Sequence, residues 1–308
     1  MLQGPPATAN KPLWDEIDWR ATVQVVLLHL ACLFAFWTGV SWIAIFVCFA
    51  CYTIRMFGVS AGYHRYFAHR SYSTGRIFQL FLGILATMSY GRGPLWWAAH
   101  HRYHHKQSDT KDDIHSPFQN GFFYSHVGWI LLVKNRATDG KRVQNLLKFP
   151  ELVWLDNYYP VPPILLGISL FALGVILKRG LPGLGTSGPQ MLVWGFLIST
   201  VLLYHATFTL TSLTHMYGSH RFEVGDQSRN NFLLAIITLG EGWHNNHHFC
   251  PSSERQGFLW WEIDITHYVL TGLSWLGIVR DLRGPEKQLA PSELHVLNAR
   301  SSPLSDGS

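Results

Sequence analysis

Between Arg20 and Arg55 the chain carries no Asp, Glu, Lys or Arg. That run exceeds one membrane crossing, because ~20 apolar residues already span a bilayer. Thr38-Gly39 interrupts it near the middle. The pattern predicts a helical hairpin with spans over 21–37 and 40–57 and a very short turn. A second hairpin is predicted downstream. Its first helix covers about 163–177, after the cluster Pro160–Pro163; Gly180–Pro189 turns the chain, and 191–213 is the fourth span. Only 14% of the 308 residues are charged, well below the ~25% of an average soluble domain, which fits a chain built around spans. The expected organisation is an N-terminal segment (1–20), hairpin one (21–57), a polar region (58–162), hairpin two (163–213), a second polar region (214–280) and a flexible tail (281–308).

Lysine and arginine orient these spans. Segment 58–160 carries twelve and 214–308 carries seven; the first hairpin turn has none and the second only Lys178 and Arg179. Positive-inside logic puts both large segments and both termini in the cytoplasm. The formal charge of +5 then reflects loops facing anionic lipid and an acidic head group, not nucleic acid. The first twenty residues lack an apolar core, so no signal peptide is expected. Cys32, Cys48, Cys51 and Cys250 form no disulfide framework and read as reduced thiols. Amphipathic stretches near 76–90 and 122–133 are expected at the interface or on the cytoplasmic region.

Seventeen histidines are the anomaly, and they cluster. The boxes are His64-Arg-Tyr-Phe-Ala-His69, His101-Arg-Tyr-His104-His105 and His244-Asn-Asn-His247-His248. On a helix, positions i, i+3 and i+4 share a face, so each HxxHH box can aim two or three imidazoles at one point. The first pair, five apart, can serve one metal only if the helix ends or bends there; otherwise it serves two. An HxxHH pattern is expected by chance roughly 0.05 times in such a chain, and it occurs twice, so a metal reading outweighs eight independent polar histidines. All three boxes fall at or just past the predicted cytoplasmic membrane face. A zinc hydrolase would pair histidines with a carboxylate, and the boxes contain neither an acid nor HExxH. A metal transporter would place polar groups within the spans, which hold only His29 and His205, read as buried and hydrogen-bonded. So many neutral ligands suit a redox pair; the spacing leaves iron and copper open.

The pattern HxxxxH, HxxHH, HxxHH resembles the membrane fatty-acyl desaturases, including the stearoyl-CoA desaturases. The likeness includes Gly58-Val-Ser-Ala-Gly-Tyr-His64, His101 through Pro117, Gly121 through Trp129 and Gly240 through His248, and covers about residues 20–280. It implies an all-α membrane protein: four transmembrane helices in two hairpins, with a cytoplasmic helical cap holding two irons on nine histidines. Eight are His64, His69, His101, His104, His105, His244, His247 and His248; the ninth matches His215. The family commonly has an Asn four residues before that ninth histidine, reaching a metal through water; here Thr211 stands there, with a shorter hydroxyl. Animal acyl-CoA enzymes often carry Arg-Asp before the second box; here it is Ala99-His100, which weakens the case for CoA as acyl carrier and leaves a carrier protein or a phospholipid as alternatives.

The resemblance implies that O2 and two electrons convert a saturated acyl chain to a cis-alkene and water, with delta-9-like placement. The chain has no haem, flavin or Fe–S motif, so a separate ferredoxin or small haem protein with its reductase is expected. Asp109, Asp112, Asp113 and Glu241 are the nearest acids to hold the imidazoles. Trp96, Trp97, Trp129, Trp243, Trp260 and Trp261 are candidates for a channel wall or for interfacial anchors. Cys48 and Tyr52, one turn apart, are candidates for the channel's closed end. Arg65, Arg70, Arg102 and Lys106 are candidates for head-group contacts, while His115, His126, His220 and His267 are read as non-ligands. The rival readings are a hydroxylase or acetylenase on the same metal site, and a non-enzymatic membrane metal-binding protein.

Overall fold

The computed structural model describes residues 16–287. The first fifteen residues, and most of the tail expected to be flexible, lie outside the described residues. The chain begins with α1 (Trp19–Thr38) and α2 (Trp42–Ala68), separated by a turn at Gly39, whose φ of +65° suits glycine. There follow α3 (Arg76–Thr87), α4 (Pro94–Gln107), the short α5 (Phe122–His126) and α6 (Pro150–Asn157). Then come α7 (Val161–Gly180), α8 (Gly188–Met216), α9 (Phe232–Ile237), α10 (His244–Phe249) and α11 (Ile265–Trp275). Two short strands, β1 (Ser73–Thr74) and β2 (Val279–Arg280), pair antiparallel with Ser73 opposite Arg280.

Among the described residues, α1, α2, α7 and α8 are the four helices long and apolar enough to cross a membrane. Their outer faces carry Phe36, 90% exposed, and Trp42, 87% exposed, with Leu27, Phe46, Ile168 and Ile176 also outward. A surface this apolar is stable against lipid and not against water. His205, expected buried, stands instead on the exposed face of α8. It bonds to His29 (3.1 Å) and His126 (3.0 Å), so partners satisfy it without burial. The stretch 122–133 is not one amphipathic helix. After α5 it breaks into 3₁₀ turns at Gly128–Leu131 and Val133–Asn135, because Val127 leaves helical geometry (φ −138°).

Helix α2 outruns its predicted end at 57. Its last eleven residues, Gly58–Ala68, wind as a π-helix. Gly58 permits this packing: a Cβ there would lie 2.8 Å from the backbone of Leu85 and Ala86 on α3. Below the spans, Tyr63 and Phe67 of α2 join Leu82 and Ala86 of α3, Leu95 and Ala98 of α4, Leu152 and Leu155 of α6 and Leu270 of α11 in one buried core. That core fixes the helices that carry the first two histidine boxes.

The start of α4 is capped from a distance. Gly93 and Pro94 offer no capping side chain, and Asp156 of α6 accepts from the backbone N–H groups of Leu95 and Trp96, both at 2.9 Å. Asp156 comes so close that a Cβ on Gly93 would sit 2.3 Å from its Cα. Asp156→Ala is expected to destabilise the protein by about 1–2 kcal/mol, as loss of an N-cap does, and to lower the melting temperature measured by tryptophan fluorescence in detergent.

Candidate metal centre

The π-helical winding resolves the five-residue spacing of the first box. In this segment the His69 N–H donates to the His64 carbonyl five residues back, at 3.1 Å. Five residues therefore make about one turn, and His64 and His69 project to the same side. Arg102 of α4 receives the end of this helix: its Nη2 donates to the Phe67 carbonyl (2.6 Å) and its Nε to the Ala68 carbonyl (3.0 Å). These are carbonyls that a helix C-terminus leaves unpaired.

Nine histidines converge in two groups, one of His64, His69, His101, His105 and His247, the other of His104, His215, His244 and His248. Within each group the candidate ligand atoms lie within 4.8 Å of one another. Each HxxHH box splits two to one between them. On an α-helix, i and i+4 differ by about 40° in azimuth while i+3 and i+4 diverge by about 100°. His101 and His105 therefore face the first group and His104 the second; His244 and His248 face the second and His247 the first. His215 reaches the second group because α8 breaks at Ser212 (ψ −73°) into the turn Leu213–Met216.

The ring nitrogens of each group come within hydrogen-bond distance of one another. His64, His69, His101, His105 and His247 are linked by Nε2···Nε2 approaches of 2.8–3.0 Å. In the second group His215 and His244 approach at 3.2 Å, while the Nε2 atoms of His104 and His248 are buried without any partner. A buried polar atom left unpaired costs about 1–3 kcal/mol. A metal ion in the second group would remove that cost, and imidazole nitrogen is a suitable donor for one in either group.

Carboxylates stand behind four of the nine. Asp113 accepts from His104 Nδ1 (3.1 Å), Asp109 from His215 Nδ1 (2.9 Å), Asp226 from His248 Nδ1 (2.6 Å), and Glu241 from His64 Nδ1. Each bond fixes one tautomer and leaves Nε2 as the free donor atom. The side-chain amide of Gln256 lies beside His64 Nδ1 (3.2 Å) and His247 Nδ1 (3.5 Å). Burial alone would raise these carboxyls; His64 and Arg65 bring Glu241 down to about 2 instead, and the adjoining histidines hold Asp113 and Asp226 well below the usual carboxylate range.

Several expected roles are corrected by this geometry. Asp112 is exposed and touches no histidine, because the turn after Thr110 carries it to the surface. Arg65 meets no head group: it is fully buried, donating to Glu241 (3.1 Å), Asp264 (2.9 Å) and the Glu254 carbonyl (2.6 Å). Arg102 is likewise spent on carbonyls and on Asn145. Arg70 and Lys106 are exposed, each one residue from a member of the first group. The Thr211 hydroxyl lies within reach of the Ser125 (2.8 Å) and Phe208 (3.0 Å) carbonyls as a donor. His115 packs its ring 4.2 Å from that of His104, His220 is exposed and His267 bonds Glu254.

An apolar cavity opens beside both groups. His64, His101, His104 and His244 line it, with Trp96, Trp97, Trp129, Val59, Leu203, Tyr204, Thr211 and Phe208. Trp97 stacks on His101 (4.7 Å) and Trp96 on Trp129 (5.7 Å). Cys48 and Tyr52 do not line it. They lie about 10–16 Å further along α2 than Val59, and the Tyr52 hydroxyl donates to the Ile237 carbonyl (2.5 Å). Trp243 is also outside, bonded to Ile263 and packed on Trp261, while Trp260 is mostly exposed.

Asp226 and Gln256 escape a sequence reading, since neither stands at a helical spacing from any box. The two asparagines inside the third box are also structural. Asn245 accepts from the Arg221 and Phe222 backbones (2.8 Å each), and Asn246 accepts from Asn230 (2.7 Å), which orients α10. Replacing Asp226 with Ala is expected to weaken metal binding about 10–100-fold, whereas Asp112→Ala should leave it unchanged; metal titration followed by elemental analysis measures both.

Burial pushes the imidazoles of His69, His101, His105, His244 and His247 well below 6.5, and that of His248 to about 4 despite Asp226. They are therefore neutral at pH 7. The unfolded chain takes up these protons below about pH 6.5 while the folded one resists, so the stability present above 6.5 is lost as pH falls toward 4. Metal content after dialysis should hold at pH 7.5, decline below 6.5 and vanish near 4.

The family model for fatty acid desaturase matches residues 40–273. The chain is 34% identical to the sn-1 stearoyl-lipid 9-desaturase of Anabaena variabilis, over 92% of this chain and 98% of that one. It is 34% identical to the Acyl-CoA C20 Delta5-desaturase of Anemone leveillei, over 92% and 85%. It is 32% identical to the chloroplastic palmitoyl-monogalactosyldiacylglycerol delta-7 desaturase of Arabidopsis thaliana, over 90% and 73%.

Proposed function

The chain belongs to the fatty acid desaturase family, and we propose that it inserts a cis double bond, delta-9-like in position, into a saturated acyl chain. The observation that carries this reading is the placement of two histidine groups against the wall of an apolar cavity. Two irons held there, one by His64, His69, His101, His105 and His247 and the other by His104, His215, His244 and His248, would supply the oxidising power to remove hydrogens from an unactivated methylene, using O2 and two electrons.

The protein's own part is positioning. Trp96, Trp97 and Trp129 present flat apolar walls that exclude water and hold a hydrocarbon against the histidines. Asp109, Asp113, Asp226 and Glu241 hold Nδ1 protons and keep the ring planes fixed through the reaction. Arg65 in turn holds Glu241 in place and balances its charge. The electrons come from a separate donor, a ferredoxin or a small haem protein with its reductase.

In this reading the four apolar helices form two hairpins across the bilayer, and the histidine groups sit in a cytoplasmic cap with both termini on that side. The lysine and arginine distribution supports the orientation. The delta-9 assignment follows the stearoyl-lipid relative.

Expression in a host of defined lipid composition, with fatty acids profiled by mass spectrometry and double bonds localised, tests the proposal. A new cis-monoene is expected from the native chain, and at least a thousandfold less from His104→Ala, whose removal strips a ligand from one metal. A hydroxylated or acetylenic product would transfer the assignment to the corresponding oxidation on the same site. An iron-loaded, reducible protein that leaves every acyl chain saturated would overturn it.

A further inference from the structure

The first histidine group has an inner and an outer side. His64 and His101 line the apolar cavity, while His69 and His105 do not. The outer pair is partly exposed, whereas His64 and His247 are buried. Each outer histidine is followed in sequence by an exposed cation, Arg70 after His69 and Lys106 after His105. Neither cation lines the cavity, where Arg92 is the one Lys or Arg among the described residues. They therefore serve something outside it.

Both side chains are uncommitted. Among the described residues neither makes a side-chain hydrogen bond or an ion pair, whereas Arg65 and Arg102 have spent their donors on the protein. Arg70 also takes a left-handed backbone, φ +54°, just past the end of α2. Glycine would make that turn at lower cost, so the turn itself does not call for an arginine. A third cation joins from another element. Lys106 and Tyr103 share a face of α4, three residues apart, and the Arg142 guanidinium lies 3.8 Å over the Tyr103 ring. Nearby acids are offset. Asp139 pairs with Arg142 (3.1 Å) and has exposed Lys141 two residues on, and Asp112 follows exposed Lys111. On the other flank the Arg283 N–H donates to the Ser71 carbonyl (3.1 Å); there Asp281 stands between Arg280 and Arg283 in sequence, and Glu286 pairs with Arg255 (3.8 Å).

The face is also polar and clear of the lipid tails. No large hydrophobic residue is exposed within 64–71 or 101–112, so it lacks the apolar side chains that insert into a bilayer. α2 runs 27 residues from Trp42, about 35–40 Å, against a hydrocarbon core of ~30 Å. Its far end, with His69 and Arg70 beyond it, stands outside that core. A basic, water-facing surface beside partly exposed metal-ligating histidines suits a soluble partner of opposite charge.

We propose that Arg70, Lys106 and Arg142 form the docking face for the electron donor, a small acidic protein with a one-electron centre, and that electrons enter through His69 and His105. The inference rests on the desaturase reading. The carrier is oxidised by one electron at each encounter, and the metal held by the first group is reduced by that electron. Two encounters supply the two electrons consumed, and no bond forms or breaks at the face. Substrate and electrons then approach the first group from opposite sides, so a long acyl chain in the cavity does not obstruct the carrier.

The test uses the full-length iron-loaded protein in phosphatidylcholine nanodiscs with two acidic probes, a plant-type [2Fe–2S] ferredoxin and the soluble haem domain of a b-type cytochrome. At least one should bind and, when reduced, pass electrons to the iron in stopped-flow absorbance, with Kd weakening at least tenfold between about 50 and 500 mM salt. Arg70→Glu with Lys106→Glu should weaken binding at least tenfold at low salt and flatten the salt dependence. Iron content should stay the same and reduction by dithionite within twofold. Arg70→Gln with Lys106→Gln should fall between, and serves if the charge reversal does not fold. Lys178→Glu, at the far end of α7, should match the native chain. Binding is read with the oxidised carrier and needs no turnover, so a chain that takes electrons on this face but leaves every acyl chain saturated would sink the desaturase reading and keep this one. Binding and reduction equal in the native and charge-reversed proteins would overturn the proposal, as would failure of both probes to bind. If the substitutions matter only in nanodiscs containing phosphatidylglycerol, the face is a lipid contact and the proposal falls.

Discussion

Everything in this molecule answers to one constraint: nine imidazoles must be brought nitrogen to nitrogen inside a protein core. Rings at such range are best accommodated when each Nδ1 is occupied from behind and each Nε2 has something to bind. The carboxylates of Asp109, Asp113, Asp226 and Glu241 meet the first condition for four rings. The second is left open by the unpaired Nε2 atoms of His104 and His248. The site is complete in geometry and incomplete in bonding, which is what a metal-ready cluster looks like from the protein side.

Those carboxylates create a second problem, which the fold solves with cations taken from the surface. Arg65 is fully buried among Glu241, Asp264 and Glu254. Removing one member of such a group strands the others, at a cost of several kcal/mol, so it locks α2 to the chain around the third box. Arg102 closes the C-terminus of α2 and Asp156 closes the N-terminus of α4. The two helices that carry the first two boxes are thus fixed at the ends where drift would move a histidine.

The long apolar helices and the histidine groups are one continuous construction. α2 leaves its apolar stretch and tightens its packing against α3 through Gly58. It changes to π winding and delivers His64 and His69 without a loop between. α8 ends in the same region, where its break at Ser212 presents His215. An apolar cavity between these helices leads directly to the histidines, so a hydrocarbon can reach them without crossing water.

Much of this was legible in the sequence. The charge-free run after Arg20 and the second apolar pair are local properties of the chain, and each span can be read from its own residues. The histidine boxes are also local, because helical spacing alone places i, i+3 and i+4 on neighbouring faces. Asp109, Asp113 and Glu241 could be named because they are close in sequence to a box. The tertiary structure decided the rest. It assigned each histidine to one of two groups, a matter of where two helices cross and not of spacing within either. It recruited Asp226 and Gln256 from loops remote in sequence. It buried Arg65 and tied Arg102 to backbone carbonyls, although both look like surface cations when only their neighbours are known. It also routed the cavity past Arg92 and away from Cys48 and Tyr52. Periodicity reports what one element can present; which partners it meets depends on packing between elements far apart in the chain.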